Sequence, residues 1–158
     1  MAQTDTQPET LALHATAVAI DGVALLLTGP SGSGKSDLAL RLIDGGARLI
    51  ADDQVELLAV NGRLCCRFPL LAPSALKGRI EVRGLGIMQV PLAEGPAPVQ
   101  WLVELVPGDG VERLPTAENR DLLGCAVPVL RLAPFESSAP AKLRLAAARG
   151  PGLEMGRE

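Results

Sequence analysis

Glycine, lysine and serine residues occupy characteristic positions between residues 29 and 36. The segment reads Gly-Pro-Ser-Gly-Ser-Gly-Lys-Ser and matches the pattern Gly-x-x-x-x-Gly-Lys-Ser/Thr at every fixed position. Glycines let successive backbone N–H groups converge on phosphate oxygens. In this pattern Lys35 directs its ammonium at the β- and γ-phosphates, and the hydroxyl of Ser36 is suited to ligate Mg²⁺. The predicted nucleoside triphosphate site consists of Gly29, Pro30, Ser31, Gly32, Ser33, Gly34, Lys35 and Ser36.

Two adjacent aspartates, Asp52 and Asp53, follow the short apolar run 48–51. The right-handed crossover rule predicts that this run forms a strand beside, and parallel to, the strand 23–28 that precedes the glycine-rich segment. Ligands of such sheets bind at the carboxyl ends of the strands. We therefore expect the two carboxylates near the γ-phosphate, one on Mg²⁺ and the other on an acceptor hydroxyl. A solvated turn after a strand is the alternative.

His14 is the single histidine of the chain. The dipeptide Asp-Gly at 21–22 predicts a two-residue hairpin turn in which Ile20 faces Val23. Continuing this register puts His14 opposite Gly29, within reach of the phosphates or of the aspartates. A partly exposed strand histidine without a role is the alternative.

The segment Arg79–Arg83 alternates apolar and charged residues, as a strand does. As site residues, Glu81 would ligate Mg²⁺ and Arg83 would contact phosphate. A solvated strand face is the alternative. The glycines at 84 and 86 indicate a tight backbone turn close by.

Periodicity and turn signals predict the elements that must position these residues. Helices are predicted at 37–44 and 141–148, and strands at 11–20, 23–28, 48–51, 55–60, 63–68, 80–82, 101–106 and 125–132. This order indicates an α/β domain that is rich in β structure and has few helices. We expect the domain to span 11–149, between a disordered N-terminus at 1–10 and a flexible tail at 150–158.

Composition excludes several classes of function. The chain has 158 residues, 47% of them apolar, and a formal net charge of −3. It lacks the basic field of a nucleic-acid binder, and its three aromatic residues argue against a platform for stacking successive bases. Three cysteines suggest free thiols in a reducing compartment, and no apolar run approaches the ~20 residues that span a bilayer. These features predict a cytoplasmic protein that binds neither membrane nor nucleic acid.

Taken together, four segments resemble the catalytic domain of bacterial HPr kinase/phosphorylase: His14, Gly29–Ser36, Arg48–Asp53 and Glu81–Ile87. The resemblance implies a P-loop domain of the HPr kinase and phosphoenolpyruvate carboxykinase-like type. It also implies ATP-dependent phosphorylation of a serine of HPr, the small phosphocarrier protein of the sugar phosphotransferase system. Many members of the family also remove that phosphate with inorganic phosphate.

The resemblance implies roles for individual residues. Lys35 and the loop amides would hold the triphosphate of ATP, and either Asp52 or Asp53 would accept the serine proton. The implied Mg²⁺ ligands are Ser36, Glu81 and Asp53. The further implied active-site residues are His14, Arg83 and Arg113, the last within a segment that resembles the one carrying a catalytic arginine in the family.

The chain also departs from the family pattern. We expect a short form without the N-terminal domain of longer members. Where the family has a basic Pro-Gly-Arg loop, this chain has 134–139 with Glu136, which implies weak or absent phosphorylase activity. A small-molecule kinase, an NTP hydrolase and a catalytically silent nucleotide-binding module remain alternatives, and self-association is left open.

Overall fold

The computed structural model describes residues 8–151 of the chain. Its strands are β1 (Thr10–Leu13), β2 (Thr16–Ile20), β3 (Val23–Thr28), β4 (Arg48–Ala51), β5 (Val55–Val60), β6 (Arg63–Arg67), β7 (Arg79–Val82), β8 (Gly86–Gln89), β9 (Ala97–Leu105), β10 (Asn119–Leu122) and β11 (Cys125–Leu132). Its α-helices are α1 (Lys35–Asp44) and α2 (Ala139–Arg149), and short 3₁₀ turns occupy Ser74–Leu76 and Gly108–Gly110. This confirms the predicted α/β domain with many strands and few helices.

The large sheet has the order β1-β5-β6-β9-β3-β2-β4, and β11 joins it by pairing with β9. β3, β9 and β11 run parallel to one another. β2 is antiparallel to both β3 and β4, so β4 points in the same direction as β3. The carboxyl ends of β3, β4, β9 and β11 and the beginning of β2 therefore meet at one edge of the sheet.

The prediction that β4 lies beside β3 is wrong, whereas its parallel direction is confirmed. β2 occupies the place next to β3 because the tight hairpin between them pairs these two strands directly. The crossover through α1 consequently passes over β2 before β4 joins the sheet. The aspartates still arrive at the sheet edge that carries the glycine-rich segment, since only the direction of β4 decides that.

The two-residue hairpin predicted at 21–22 forms, and a second one forms at 61–62. Asp21 and Gly22 have φ of 49° and 83°, and Asn61 and Gly62 have φ of 52° and 78°. Positive φ at both central residues matches the twist of the flanking strands, and these residue types tolerate it. Pairing of β2 with β3 ends at Thr16 and Leu27, so His14 does not lie opposite Gly29. The predicted strand 11–20 is interrupted at 14–15, between β1 and β2.

The apolar core lies on both faces of the sheet. Leu25 and Leu27 of β3 point to the face covered by the helices, and Leu26 points to the other face. Leu38 and Leu42, within the helix predicted at 37–44, are fully buried on the helical face. The α-helices that the structure describes, of 10 and 11 residues, are too short and too polar to cross a membrane.

Arg144 of α2 fixes the end of α1. Its Nη2 donates to the carbonyl oxygens of Arg41 and Leu42 at 3.1 and 3.4 Å. The guanidinium lies so close to Gly45 that a Cβ at this position would overlap Nη2. The helix predicted at 37–44 thus ends at the expected residue, Asp44, and the glycine that follows it leaves room for a side chain from the other helix.

The predicted domain limits fall near the ends of the described residues. β1 begins at Thr10, inside the predicted disordered segment, and α2 ends at Arg149. Most of the predicted N-terminal segment and of the predicted tail, 1–7 and 152–158, lies outside the described residues. β8 and β10 were not predicted, and Glu81 belongs to a separate two-stranded sheet, β7 with β8.

Candidate active site

The glycine-rich segment connects β3 to α1, which begins at Lys35. Gly34 has a φ of 100°, a conformation that favours glycine, and this turns the chain into the helix. The Lys35 side chain is 8% exposed. Its Nζ donates to the carbonyl oxygens of Gly29 and Pro30 at 2.7 and 3.1 Å. The ammonium therefore lies inside the loop at the N-terminus of α1, where the helix dipole also favours an anion.

Asp52 joins four elements of the fold. Its Oδ1 accepts hydrogen bonds from Ser36 Oγ at 2.8 Å and from Thr16 Oγ1 at 2.9 Å. Its Oδ2 accepts one from the backbone N–H of Glu81 at 3.4 Å. Thr16 is fully buried at the start of β2, so its hydroxyl depends on this carboxylate. Asp52 thus fixes the position of Ser36 relative to the sheet.

Asp53 faces a different partner. His14 Nε2 lies 2.6 Å from Asp53 Oδ1, and both side chains are more than half exposed. Asp53 has a φ of 74°, an uncommon value for a residue with a side chain. This conformation is held because the carbonyl of Asp53 accepts a hydrogen bond from the N–H of Ala15 at 3.1 Å. The side chains of the two adjacent aspartates consequently have separate partners.

A cleft of about 500 Å³ lies between the N-terminus of α1, β7 and the segment that follows β11. Its lining residues are Thr16, Ser31, Gly32, Gly34, Lys35, Ser36, Asp37, Leu40, Asp53, Glu81, Val82, Arg83 and Phe135. Most of the residues singled out from the sequence are therefore brought together here. His14 reaches the cleft through Asp53.

Arg113 is not part of this group. It is exposed, in the segment between the 3₁₀ turn Gly108–Gly110 and β10. Its neighbours Glu112 and Pro115 line a different cleft, of about 400 Å³, beside Trp101. Glu136 forms an ion pair with Lys142 at 2.9 Å, so its charge is directed at α2.

Five residues that line the cleft were missed by sequence reasoning: Thr16, Asp37, Leu40, Val82 and Phe135. Thr16 had a usable signal, because residues two apart in an extended segment lie on the same side and Thr16 follows His14 at that distance. Leu40 reads from the sequence only as an apolar helix residue. The segment 134–139 was singled out from the sequence because of the charge of Glu136 and not because of the aromatic ring of Phe135.

The donor set fits Mg²⁺. The hydroxyl of Ser36 and the carboxylate of Asp52 supply adjacent oxygen donors, and Mg²⁺ typically binds one or two carboxylates and completes its shell with water and substrate phosphates. Among residues 8–151, no group of three His, Cys, Asp or Glu side chains is arranged to hold a metal ion. The sequence-based ligand set named Asp53, whereas Asp52 is the aspartate that lies beside Ser36.

Comparisons with known proteins identify relatives of this site. Residues 6–133 match the family model of the HPr Serine kinase C-terminal domain. The HPr kinase/phosphorylase of Clostridium tetani (strain Massachusetts / E88) is 46% identical over 88 residues, which are 56% of this chain and 27% of that protein. The protein of the same name from Treponema pallidum (strain Nichols) is 36% identical over 136 residues, 78% of this chain and 41% of that protein.

A solved structure, that of the Hpr(Ser) kinase/phosphatase from Coxiella burnetii, has a TM-score of 0.74 and 28% sequence identity, over 88% of this chain and 89% of that chain. The chain spans well under half the length of the curated relatives it matches. The matched residues 6–133 include Lys35, Asp52, Asp53 and Glu81 and end before Phe135.

Proposed function

The chain belongs to the family of the HPr serine kinase C-terminal domain, whose model matches residues 6–133, and on this basis we propose that it transfers the γ-phosphoryl group of ATP to a serine of HPr. One observation carries the proposal. Two adjacent aspartates lie at the rim of the phosphate loop, one bonded to Ser36 and the other to His14. Phosphoryl transfer needs a cation-binding group and a proton acceptor side by side, and this arrangement supplies both.

The phosphate loop would bind and orient ATP. Lys35 Nζ now donates to two loop carbonyls, and oxygens of the β- and γ-phosphates would replace these acceptors. The backbone N–H groups of 31–36 would surround the same phosphates. Because the ammonium is already buried within the loop, little reorganisation is needed when negative charge shifts toward the leaving group.

Ser36 and Asp52 would hold Mg²⁺, with Glu81, which lines the cleft next to Asp52, as a further carboxylate. When bound, Mg²⁺ neutralises charge on the β- and γ-phosphates. Thr16 and the backbone N–H of Glu81 would keep Asp52 in position through their hydrogen bonds. Arg83 lines the same cleft and would contact phosphate oxygens near its mouth.

Asp53 would accept the proton of the acceptor serine. The serine oxygen forms a bond to the γ-phosphorus while the bond from that phosphorus to the bridging oxygen of ADP breaks, and the serine proton passes to Asp53. His14 would orient this carboxylate through the 2.6 Å contact. The exposure of both side chains suits a group that must meet the side chain of another protein. The role predicted for Arg113 stays a prediction, since Arg113 does not line the cleft.

We propose that transfer to HPr is favoured over removal of the phosphate. Glu136 is the one charged residue of 134–139, and Lys142 balances it at 2.9 Å, so this segment supplies no net positive charge. Without positive charge here, binding of phosphoserine together with inorganic phosphate is less favourable. The cytoplasm is the proposed location, because ATP is available there and Cys65, Cys66 and Cys125 are free thiols.

The experiment is incubation of the chain with ATP, Mg²⁺ and purified HPr from the same organism. Mass spectrometry of HPr measures seryl phosphate, and a separate assay measures free phosphate. The proposal predicts that phosphate appears on one serine of HPr and that little is released. Consumption of ATP without modification of HPr would instead support the alternative of an NTP hydrolase.

A further inference from the structure

Phe135 is an exposed aromatic residue in a cleft that is otherwise mostly polar. It is 70% exposed and lines the cleft together with loop residues such as Gly32, Gly34 and Lys35. Its position follows from topology: β11 runs parallel to β3 and ends at Leu132, so the chain leaves the sheet at the edge that carries the phosphate loop.

The segment around Phe135 is anchored on both sides. The guanidinium of Arg41 donates to the carbonyl oxygens of Pro134 and Glu136, and Glu136 also pairs with Lys142. The ring itself abuts the phosphate loop, since a Cβ on Gly34 would lie 2.9 Å from Phe135 Cζ. The glycine at this position leaves room for the ring, whose exposed part faces the cleft and solvent.

The ring lies on a different side of the α1 N-terminus from the carboxylates. Ser36 faces Asp52. Arg41 lies one turn after Asp37 and forms an ion pair with it. The guanidinium of Arg41 donates to the segment that carries Phe135. Successive helix residues point about 100° apart, so the faces of Ser36 and Asp37 diverge at the loop. The cleft thus has an acidic end at Asp53 and Glu81, and Phe135, with the carboxylate of Asp37 on the same side, at its other end.

We propose that Phe135 forms the nucleobase subsite, with the adenine of ATP stacked on its phenyl ring. The inference rests on the proposed function. In-line transfer needs the acceptor on one side of the γ-phosphate and the leaving ADP on the other. The acceptor serine would bind at the acidic end of the cleft, so the nucleoside would extend toward the end that carries Phe135. The base is the part of ATP that gains from contact with an exposed ring, whereas phosphate and ribose do not.

The test compares ATP with inorganic tripolyphosphate, which has the phosphates but no base. Calorimetry with Mg²⁺ measures the affinity of each for the wild type and for Phe135→Ala. Stacking on one aromatic ring predicts that the variant binds ATP roughly ten-fold more weakly and binds tripolyphosphate with unchanged affinity. Phe135→Tyr restores ATP affinity, and Leu145→Ala, which truncates a 56% exposed residue of α2, leaves both affinities unchanged.

A second readout reports contact directly. Trp101 is the single tryptophan of the chain and is 3% exposed, so Phe135→Trp adds an exposed indole with distinct emission. The inference predicts that ATP quenches this emission and that tripolyphosphate does not.

Equal ATP affinity of the wild type and Phe135→Ala would overturn the inference and leave the proposed function standing. Weaker HPr binding by Phe135→Ala with unchanged ATP affinity would also overturn it, and would assign the ring to the acceptor protein. A wild type that binds neither ATP nor tripolyphosphate would overturn the proposed function and this inference together.

Discussion

The imidazole of His14 and the carboxylate of Asp53 lie 2.6 Å apart, although 39 positions of the chain separate them. The contact depends on the break between β1 and β2, which frees His14 from the sheet, and on the φ of 74° at Asp53. The neighbouring Asp52 is bonded to Ser36 and Thr16. The two carboxylates therefore have distinct tasks in the proposed reaction, one at the cation and one at the acceptor.

The first prediction concerns Asp53. Asp53→Asn removes the proton acceptor but keeps the size of the side chain, so phosphorylation of HPr should slow by about 10² to 10⁴-fold, while ATP affinity stays within about two-fold because the loop contacts remain. Rapid-quench kinetics and calorimetry measure the two quantities. His14→Ala and the double variant complete a cycle. If His14 acts through Asp53, its loss should have little further effect in Asp53→Asn. Additive losses would argue against that role.

The second prediction separates Asp52 from Asp53 by stability. Asp52→Ala leaves the buried hydroxyl of Thr16 without its acceptor, which should lower the free energy of unfolding by about 1–3 kcal/mol. Asp53→Asn, which keeps a residue type that tolerates the φ of 74° at this exposed position, should change it by less than about 0.5 kcal/mol. Urea unfolding followed by circular dichroism measures both. Equal losses in the two variants would show that Asp52 does not organise the site.

The third prediction concerns the contact between the two helices. Arg144→Met retains much of the aliphatic stem but removes the donor to the carbonyls of Arg41 and Leu42. We expect the free energy of unfolding to fall by about 1–2 kcal/mol. Arg149→Met is the matched control at the exposed end of α2 and should be nearly neutral. No difference between the two variants in thermal or urea unfolding would contradict this role of Arg144.

The fourth prediction is a pH dependence. Burial, with a smaller contribution from the neighbouring Cys65, raises the pKa of the Cys66 thiol to about 12. The unfolded chain ionises this thiol near its ordinary pKa of about 8.5. The preference of the folded state for the neutral thiol costs no stability below about pH 8.5. As pH rises from there toward 12, the free energy of unfolding falls by up to about 1.4 kcal/mol per pH unit.

The free energy of unfolding, measured by urea titration at about pH 8 and about pH 10.5, should therefore fall more steeply for the wild type than for Cys66→Ala. The variant also leaves a small cavity, which lowers stability equally at both pH values. The difference in slope is the informative quantity, and parallel losses would contradict a buried neutral thiol.

Much of the fold follows from local sequence signals. Asp-Gly at 21–22 and Asn-Gly at 61–62 specify their hairpins because the positive φ values needed there suit few other residues. The glycine-rich segment likewise specifies a loop between a strand and a helix. By contrast, β10 was missed because its sequence is polar and its pairing with β11 is a tertiary contact. The position of β4 depended on which strand β3 pairs with first, which the crossover rule does not address.

Part of the site could also be predicted from the sequence. The convergence of the loop and the aspartates on one edge follows from strand direction alone. The different side-chain partners of Asp52 and Asp53 do not, because they depend on the backbone conformation at Asp53 and on Thr16, which comes from a distant part of the chain. The role of Arg113 stays a prediction that rests on the resemblance alone, since Arg113 does not line the cleft.

The central claim is that transfer to HPr takes place at the loop that surrounds Lys35, and the most direct measurement is the rate of seryl phosphorylation of HPr by Lys35→Ala with ATP and Mg²⁺. Loss of a preorganised cation predicts a rate at least about 10² to 10³-fold below that of the wild type, with circular dichroism showing an intact fold. Phosphorylation of HPr by this variant at the wild-type rate would contradict the account.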